Sequence, residues 1–177
     1  MAIVPQPRPA QHTRPEAEPV RRWPTRVYPG SLTQASGVRS DLLADLYRLP
    51  CLNPELAEAM VLCASEMFAN AVDHSRSGTE PEGLVIRTLA APTRERVRVE
   101  IIDDGHRPDR SQVPAIPRER SAQEWEEAKC GRGLLLIDHL AASWGTRQVV
   151  DFPFCEGLGT VIWAEFTLAF AQDGWNR

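Results

Sequence analysis

Apolar residues recur every three to four positions in the first half of the chain, which is the spacing of an amphipathic helix. The first such run ends near Leu46, and Ser31 or Thr33 is placed to act as its N-cap. A second helix is predicted over residues 54–74, because Asn53 is a suitable N-cap and a proline follows it in the first helical turn. This second helix is apolar on most sides, as is typical of a buried helix, through Leu56, Met60, Leu62, Cys63, Met67, Phe68 and Val72.

Alternating or continuous apolar runs predict strands in the rest of the chain. They cover residues 20–28, 84–91, 96–102, 146–152 and 160–168. A third helix is predicted over residues 133–143, with Gly145 just past its end. Two helices, a hairpin, a third helix and two strands predict an α+β two-layer sandwich. Its sheet would be mixed but mostly antiparallel, with the helices on one face.

The two ends of the chain differ in composition from the middle. Residues 1–26 contain six prolines and five arginines but few core-forming residues, so they cannot bury enough apolar surface to offset the entropy lost on ordering. We expect a flexible tail at residues 1–26, one folded domain at 27–170 and a short tail at 171–177. The first tail is interpreted as a spacer or as a basic arm that touches a partner.

Composition argues against several classes of function. The net charge of −4 disfavours a nucleic-acid-binding protein. No apolar run approaches the roughly 20 residues of a membrane-spanning helix. The four cysteines lack metal-ligand spacing, and no signal peptide is recognisable. We therefore expect a cytoplasmic protein with reduced thiols and no membrane contact.

One polar line interrupts the apolar surface of the second helix. Glu66 and Asn70 lie one helical turn apart, and Asp73 and His74 fall on the same side. Buried polar groups without partners cost roughly 1–3 kcal/mol each. The line is therefore either the solvent-exposed face of the helix or the wall of a binding site.

Three glycine-containing segments are further candidates for chemistry. Residues 103–105 (Asp-Asp-Gly) end a predicted strand, and residues 131–133 (Gly-Arg-Gly) precede the third helix, where free N–H groups favour anions. Residues 157–160 (Gly-Leu-Gly-Thr) enter the last strand, and the polar residues 106–130 form a long predicted loop with a short helix near 121–128. Taken singly, each glycine segment is also compatible with an ordinary turn.

The order of these motifs resembles the GHKL ATPase superfamily, which includes gyrase, histidine kinases and MutL. Residues 66–75 (EMFANAVDHS) and 131–144 (GRGLLLIDHLAASW) are similar to the anti-sigma-factor serine kinases of the RsbW and SpoIIAB type. The start of the domain, with Tyr28-Pro29-Gly30, resembles actinobacterial members. The resemblance covers about residues 25–170 and implies the ATP-binding fold of that superfamily.

The resemblance implies a site for ATP and Mg²⁺. It makes Asn70 the magnesium ligand and Glu66 the general base that takes the proton from a substrate serine. It makes Asp103 the acceptor for the adenine amine, and it makes residues 106–130 the ATP lid. The other positions that it implies near the nucleotide are Asp73, His74, Gly105, Gly131, Arg132, Gly133, Leu134 and Thr160.

The implied function is a Mg-ATP-dependent serine/threonine protein kinase that acts as an anti-sigma factor. Such a kinase phosphorylates a serine of a small anti-anti-sigma partner of the STAS type and sequesters a sigma factor, and a homodimer is left open. The alternatives are an ATP-gated switch without phosphate transfer, the catalytic part of a histidine kinase, and a nucleic-acid-binding protein with an Arg-rich tail. Glu66 favours the kinase, because a switch needs no base. Asp104, beside Asp103, has no explanation from the sequence.

Overall fold

The computed structural model contains one antiparallel sheet with helices packed against it. It describes residues 19–49, 52–79, 81–105, 107, 132–149 and 159–168. Within these ranges the sheet has six strands. In chain order they are β1 (Arg21–Arg22), β2 (Arg26–Pro29), β3 (Leu84–Thr93), β4 (Arg96–Ile102), β5 (Ser143–Gln148) and β6 (Thr160–Thr167). Their order in the sheet is β1-β3-β4-β6-β5, with β2 also pairing with β3, beside β1. The predicted α+β architecture is confirmed, and every strand pair in the described ranges is antiparallel.

The first predicted strand forms as two short pieces. Strand β1 (Arg21–Arg22) and strand β2 (Arg26–Pro29) both pair with β3 (Leu84–Thr93). Between them Trp23 turns its ring into the core and donates its Nε1–H to the Asp45 carbonyl at 3.0 Å. This indole contact joins the edge of the sheet to the first helix.

The first two helices match the sequence pattern closely. Ser31 caps a 3₁₀ turn, and helix α1 (Ala35–Leu46) follows it. Helix α2 (Pro54–His74) begins where predicted, because the Asn53 side chain accepts a hydrogen bond from the Glu55 amide at 2.7 Å. One prediction for this helix is wrong. Leu62 is 43% exposed, since it lies on the side of α2 turned away from the sheet.

The third helix and the strand after it depart from the prediction. Helix α3 (Arg132–Leu140) is shorter than expected, and strand β5 (Ser143–Gln148) begins three residues early. Gly145 therefore does not end a helix. It lies inside β5, where an added Cβ would sit 3.0 Å from the Trp163 ring of β6. The glycine is explained by this close packing.

The core lies between the helices and one face of the sheet. In β4 (Arg96–Ile102), Val97, Val99 and Ile101 are buried there, and they face Phe166, Ala164 and Ile162 of β6 (Thr160–Thr167). The opposite face of the sheet is charged. None of the helices in the described part of the chain combines the length and apolar character needed to cross a bilayer. The predicted domain boundaries remain predictions.

Candidate functional site

Helix α2 presents its polar line at the border between core and solvent. Glu66 and Asn70 are half-buried, whereas Asp73 and His74, in the last turn, are exposed. The Asn70 amide nitrogen is buried without a hydrogen-bond partner among the described residues. A buried amide with an open donor costs free energy unless something binds it. The half-buried part of the line therefore has unused hydrogen-bonding capacity.

The first turn of α3 lies directly against Glu66. A Cβ built on Gly133 would be 2.5 Å from Glu66 Oε2 and 3.5 Å from its carboxyl carbon. Leu134 anchors this turn in the core, and Arg132 is exposed beside it. The absence of a side chain at residue 133 thus lets the carboxylate approach a helix N-terminus, whose dipole favours negative charge. Gly131 lies outside the described residues.

The end of β4 holds a second carboxylate. Asp103 Oδ1 accepts hydrogen bonds from the backbone N–H groups of Gly105 at 2.7 Å and Thr160 at 3.1 Å, and the Asp103 N–H donates to the Thr160 carbonyl at 3.0 Å. Gly105 has a φ of 87°, which suits glycine. Burial raises the pKa of Asp103, while the two backbone hydrogen bonds act in the opposite direction. Because both described bonds fall on Oδ1, Oδ2 is the atom that remains to accept from a ligand.

Helix α2 connects these two regions. Just after the helix ends, the Arg76 N–H donates to the Gly105 carbonyl at 3.0 Å. Two turns before that end, the core face of the helix is buried at Phe68. Glu66 of the same helix contacts α3. Residues 103–105 therefore adjoin the end of α2, and residues 132–134 adjoin the same helix at Glu66. That these segments line one nucleotide cavity remains a prediction. The predicted lid at 106–130 lies outside the described residues apart from Arg107.

A family model described as a histidine kinase-like ATPase domain matches residues 28–164, well over half of the chain. This chain belongs to that ATPase family. Its structure is also similar to the crystal structure of the RsbU and RsbW domains of Rv1364c from Mycobacterium tuberculosis, with a TM-score of 0.50 and 19% sequence identity. That similarity covers 82% of this chain and 33% of the other, and it shows a shared fold. No curated protein matches the sequence.

The ATPase domain also uses residues that the sequence motifs did not identify. Hydrogen bonds among Arg76, Ser77 and Asp104 join the tail of α2, the 3₁₀ turn Arg76–Gly78 that follows the helix, to the loop that carries Asp103. The sequence hinted at these contacts only through Asp104, the second carboxylate of the Asp-Asp-Gly segment, because its partner Ser77 is far away in the sequence. These contacts explain Asp104 as part of the framework around the site.

Proposed function

We propose that this ATPase domain binds Mg-ATP and transfers the γ-phosphate to a serine of a small anti-anti-sigma partner. The observation that carries the proposal is the contact between the Glu66 carboxylate and Gly133, at a helix N-terminus and one turn from the open Asn70 amide. A carboxylate at that position can act as a base beside a bound phosphate chain. The family assignment supports ATP as the ligand.

The adenine end of the proposed site is the loop at the end of β4. Asp103 Oδ2 would accept a hydrogen bond from the exocyclic amine of adenine, while Oδ1 stays bonded to Gly105 and Thr160. Guanine has an oxygen at the equivalent position, so the carboxylate would repel it. Gly105 leaves room for the base because it has no side chain. We therefore expect adenine selectivity.

The phosphate end is the N-terminus of α3. Gly133 leaves its backbone open to an anion, and we assign Gly131 and Arg132 to the same task from the family resemblance. Asn70 would hold Mg²⁺ through its side-chain oxygen. Among the described residues no group of three or more His, Cys, Asp or Glu side chains could hold a metal alone. A cation at Asn70 would therefore depend on phosphate oxygens and water, as is usual for magnesium.

Glu66 carries the proposed proton transfer. The nucleotide supplies the γ-phosphoryl group, and the substrate serine oxygen forms a bond to its phosphorus as the bond to the β–γ bridging oxygen breaks. Glu66 takes the hydroxyl proton, and ADP remains as the leaving group. A positioned base typically contributes about 10²–10⁴ in rate. The remaining stabilisation comes from positioning and charge neutralisation.

The regulatory role completes the proposal. The domain would act as an anti-sigma factor, with a STAS-type protein as phosphate acceptor and a sigma factor as the sequestered partner. The fold shared with a crystal structure that contains an RsbW domain supports this choice of partners, because the sequence motifs resemble anti-sigma kinases of the RsbW type. We place Asp73, His74, Leu134 and Thr160 around the nucleotide as pocket residues. We also propose a cytoplasmic location and residues 27–170 as the domain.

Transfer of labelled γ-phosphate to a STAS-type protein tests the proposal. Glu66→Gln keeps the size of the side chain but removes its basicity, so transfer should fall by about 10²–10⁴. Binding of Mg-ADP, measured by calorimetry, should change little. Phosphoryl transfer at the wild-type rate by Glu66→Gln would show that Glu66 is not the general base. Regulation of the partner without any transfer by the wild type would instead favour an ATP-gated switch.

A further inference from the structure

The carboxylate of Asp104 points away from Asp103, toward the joint between α2 and β3. Its Oδ2 accepts a hydrogen bond from the Leu84 N–H at 2.7 Å and lies 3.1 Å from the Ser77 hydroxyl. The two partners belong to different parts of the fold, since Ser77 follows α2 and Leu84 begins β3. One carboxylate thus joins the end of β4 to both neighbouring elements.

The backbone of the same loop also forms hydrogen bonds to Arg76 and Ser77, just after α2. The Asp104 N–H donates to Ser77 Oγ at 2.9 Å, and the Arg76 guanidinium donates twice to the Asp104 carbonyl, at 3.0 and 2.6 Å. The Arg76 N–H donates to the Gly105 carbonyl at 3.0 Å. These four hydrogen bonds tie residues 104 and 105 to the tail of α2, on the side opposite to the Asp103 bonds with β6.

Ser77 has little freedom to move. It is buried, and its carbonyl packs so closely on Gly30 and Gly83 that a Cβ on either glycine would overlap it. The Ser77 N–H also donates to Ser75 Oγ at 3.1 Å, and that hydroxyl donates to the Ala71 carbonyl of α2. The position of Ser77, seven residues after Asn70, is thus set by the end of α2.

We propose that Asp104 is a positioning residue that fixes the adenine-recognising carboxylate of Asp103 relative to Asn70 on α2. The inference rests on the proposed nucleotide site, and it makes Asp104 the residue that links the adenine end of that site to α2. Asp104 does not touch the nucleotide. Its carboxylate accepts from the Leu84 N–H and its own N–H donates to Ser77 Oγ, which in turn donates to the Leu84 carbonyl at 2.6 Å. These bonds hold the loop so that Asp103 and Gly105 face the same site as the polar line of α2. Loss of these bonds should reduce selectivity for adenine more than it reduces binding of the phosphates.

Amide hydrogen exchange without nucleotide tests the framework directly. In Asp104→Ala the N–H groups of Gly105 and Thr160, which bond to Asp103 Oδ1, should exchange at least about tenfold faster than in the wild type. Glu100→Ala is a matched control, because Glu100 lies on the same strand and accepts bonds from Thr88 and Arg147 on the other face of the sheet. It should leave both amides unchanged. Unchanged exchange of Gly105 and Thr160 in Asp104→Ala would overturn the inference.

Nucleotide selectivity tests the consequence for recognition. Inosine diphosphate has an oxygen where ADP has the amine, so the ratio of ADP to inosine diphosphate affinity reports the Asp103 contact. This ratio should fall about tenfold in Asp104→Ala. Asp104→Asn should restore it, because an amide oxygen can still accept from Leu84. A general loss of structure would instead weaken both ligands equally, and that result would contradict the proposal.

Two further arms separate the possible failures. If Asp104→Ala does not fold, Ser77→Ala removes the hydroxyl from the same contact and should produce the same two effects. Wild-type selectivity and exchange in that variant would count against the inference. If the wild type binds neither nucleotide, the proposed function fails. The exchange result then still decides whether Asp104 holds the loop.

Discussion

At the scale of single residues, Asp103 combines a cost in stability with a proposed role in recognition. Burial raises its pKa above the ordinary value of 3.8, and the hydrogen bonds from Gly105 and Thr160 offset part of that rise. The folded state therefore holds the proton more tightly than the unfolded state does. The contribution of Asp103 to the free energy of unfolding therefore falls as pH rises from the ordinary pKa through the raised one, and it stays lower at neutral pH.

Replacing this carboxylate should improve stability and reverse base preference. In Asp103→Asn the amide oxygen can keep the bonds to Gly105 and Thr160. The amide nitrogen then takes the place of Oδ2 and offers a donor to the base. We expect a higher free energy of unfolding at neutral pH, with the gain over wild type shrinking in acid. ADP affinity should fall about 10–100-fold, while inosine diphosphate should bind better than to wild type.

Urea unfolding at neutral and acidic pH, with calorimetry for the two nucleotides, measures both effects. Asp41→Asn is the control. It also neutralises a partly buried carboxylate, but one in α1, where it accepts a hydrogen bond from the Tyr28 hydroxyl at 3.1 Å. The control should leave base preference unchanged. An Asp103→Asn protein that still prefers ADP would separate Asp103 from adenine recognition.

Residue motifs were predictable only where neighbours in the sequence carry the signal. Asp103 and Gly105 lie two positions apart in a strand-end motif, and Glu66 and Asn70 share one face of a helix by spacing alone. Asp104 was different, because its partner Ser77 lies 27 positions away. That contact depends on where α2 ends relative to β4, which the hydrophobic pattern does not specify.

At the scale of elements, the contact between α2 and α3 depends on a missing side chain. Helix α2 was predicted closely, since Asn53 and Pro54 mark its start and residues 75–78 (Ser-Arg-Ser-Gly) mark its end near His74. The end of α3 was misjudged, because Gly145 is required by the Trp163 ring rather than by a helix cap. Glycine alone therefore does not distinguish a helix end from close packing.

Gly133→Ala should disable transfer without unfolding the protein. Its Cβ would meet the end of the flexible Glu66 side chain, which can rotate away at little cost. Alanine is also up to about 1 kcal/mol better than glycine within a helix. We expect unchanged or slightly higher stability, and a loss of at least about tenfold in phosphoryl transfer because the base is displaced.

Gly37→Ala provides the matched control for this prediction. It makes the same substitution in α1, where an added Cβ meets nothing within 4 Å. It should raise stability by a similar amount and leave transfer unchanged. In a Glu66→Ala background, Gly133→Ala should lower transfer no further. An additional loss there would mean that the methyl group obstructs the phosphates rather than the base.

At the scale of the whole molecule, a buried ion pair joins the sheet to α1. Its arginine lies at a position of β3 where the alternation of the strand predicts an apolar residue. Arg87 stands between Val85 and Leu89 on the core face and is fully buried. Its Nη2 bonds to Asp45 Oδ2, while its Nε and Nη1 have no partner among the described residues. Asp45 belongs to α1, so the pair joins that helix to the sheet. The layers and the positions of β3, β4 and β6 follow from the sequence pattern. This charged link does not, because it depends on the three-dimensional packing of α1.

Removing one member of this pair should cost far more stability than removing both. In Arg87→Met the Asp45 carboxylate stays buried, and the nearest remaining cation is Arg26, at 3.5 Å. We expect a loss of about 3–5 kcal/mol in the free energy of unfolding. Arg87→Met combined with Asp45→Leu should recover most of it, since no unpaired charge is left.

Arg147→Met is the comparison, because Arg147 is 50% exposed in its pair with Glu100 and such pairs contribute about 0–1 kcal/mol. Urea denaturation of the four proteins measures all these differences. Equal costs for Arg87→Met and Arg147→Met would show that water or another group neutralises Asp45, and that the pair does not hold α1 on the sheet.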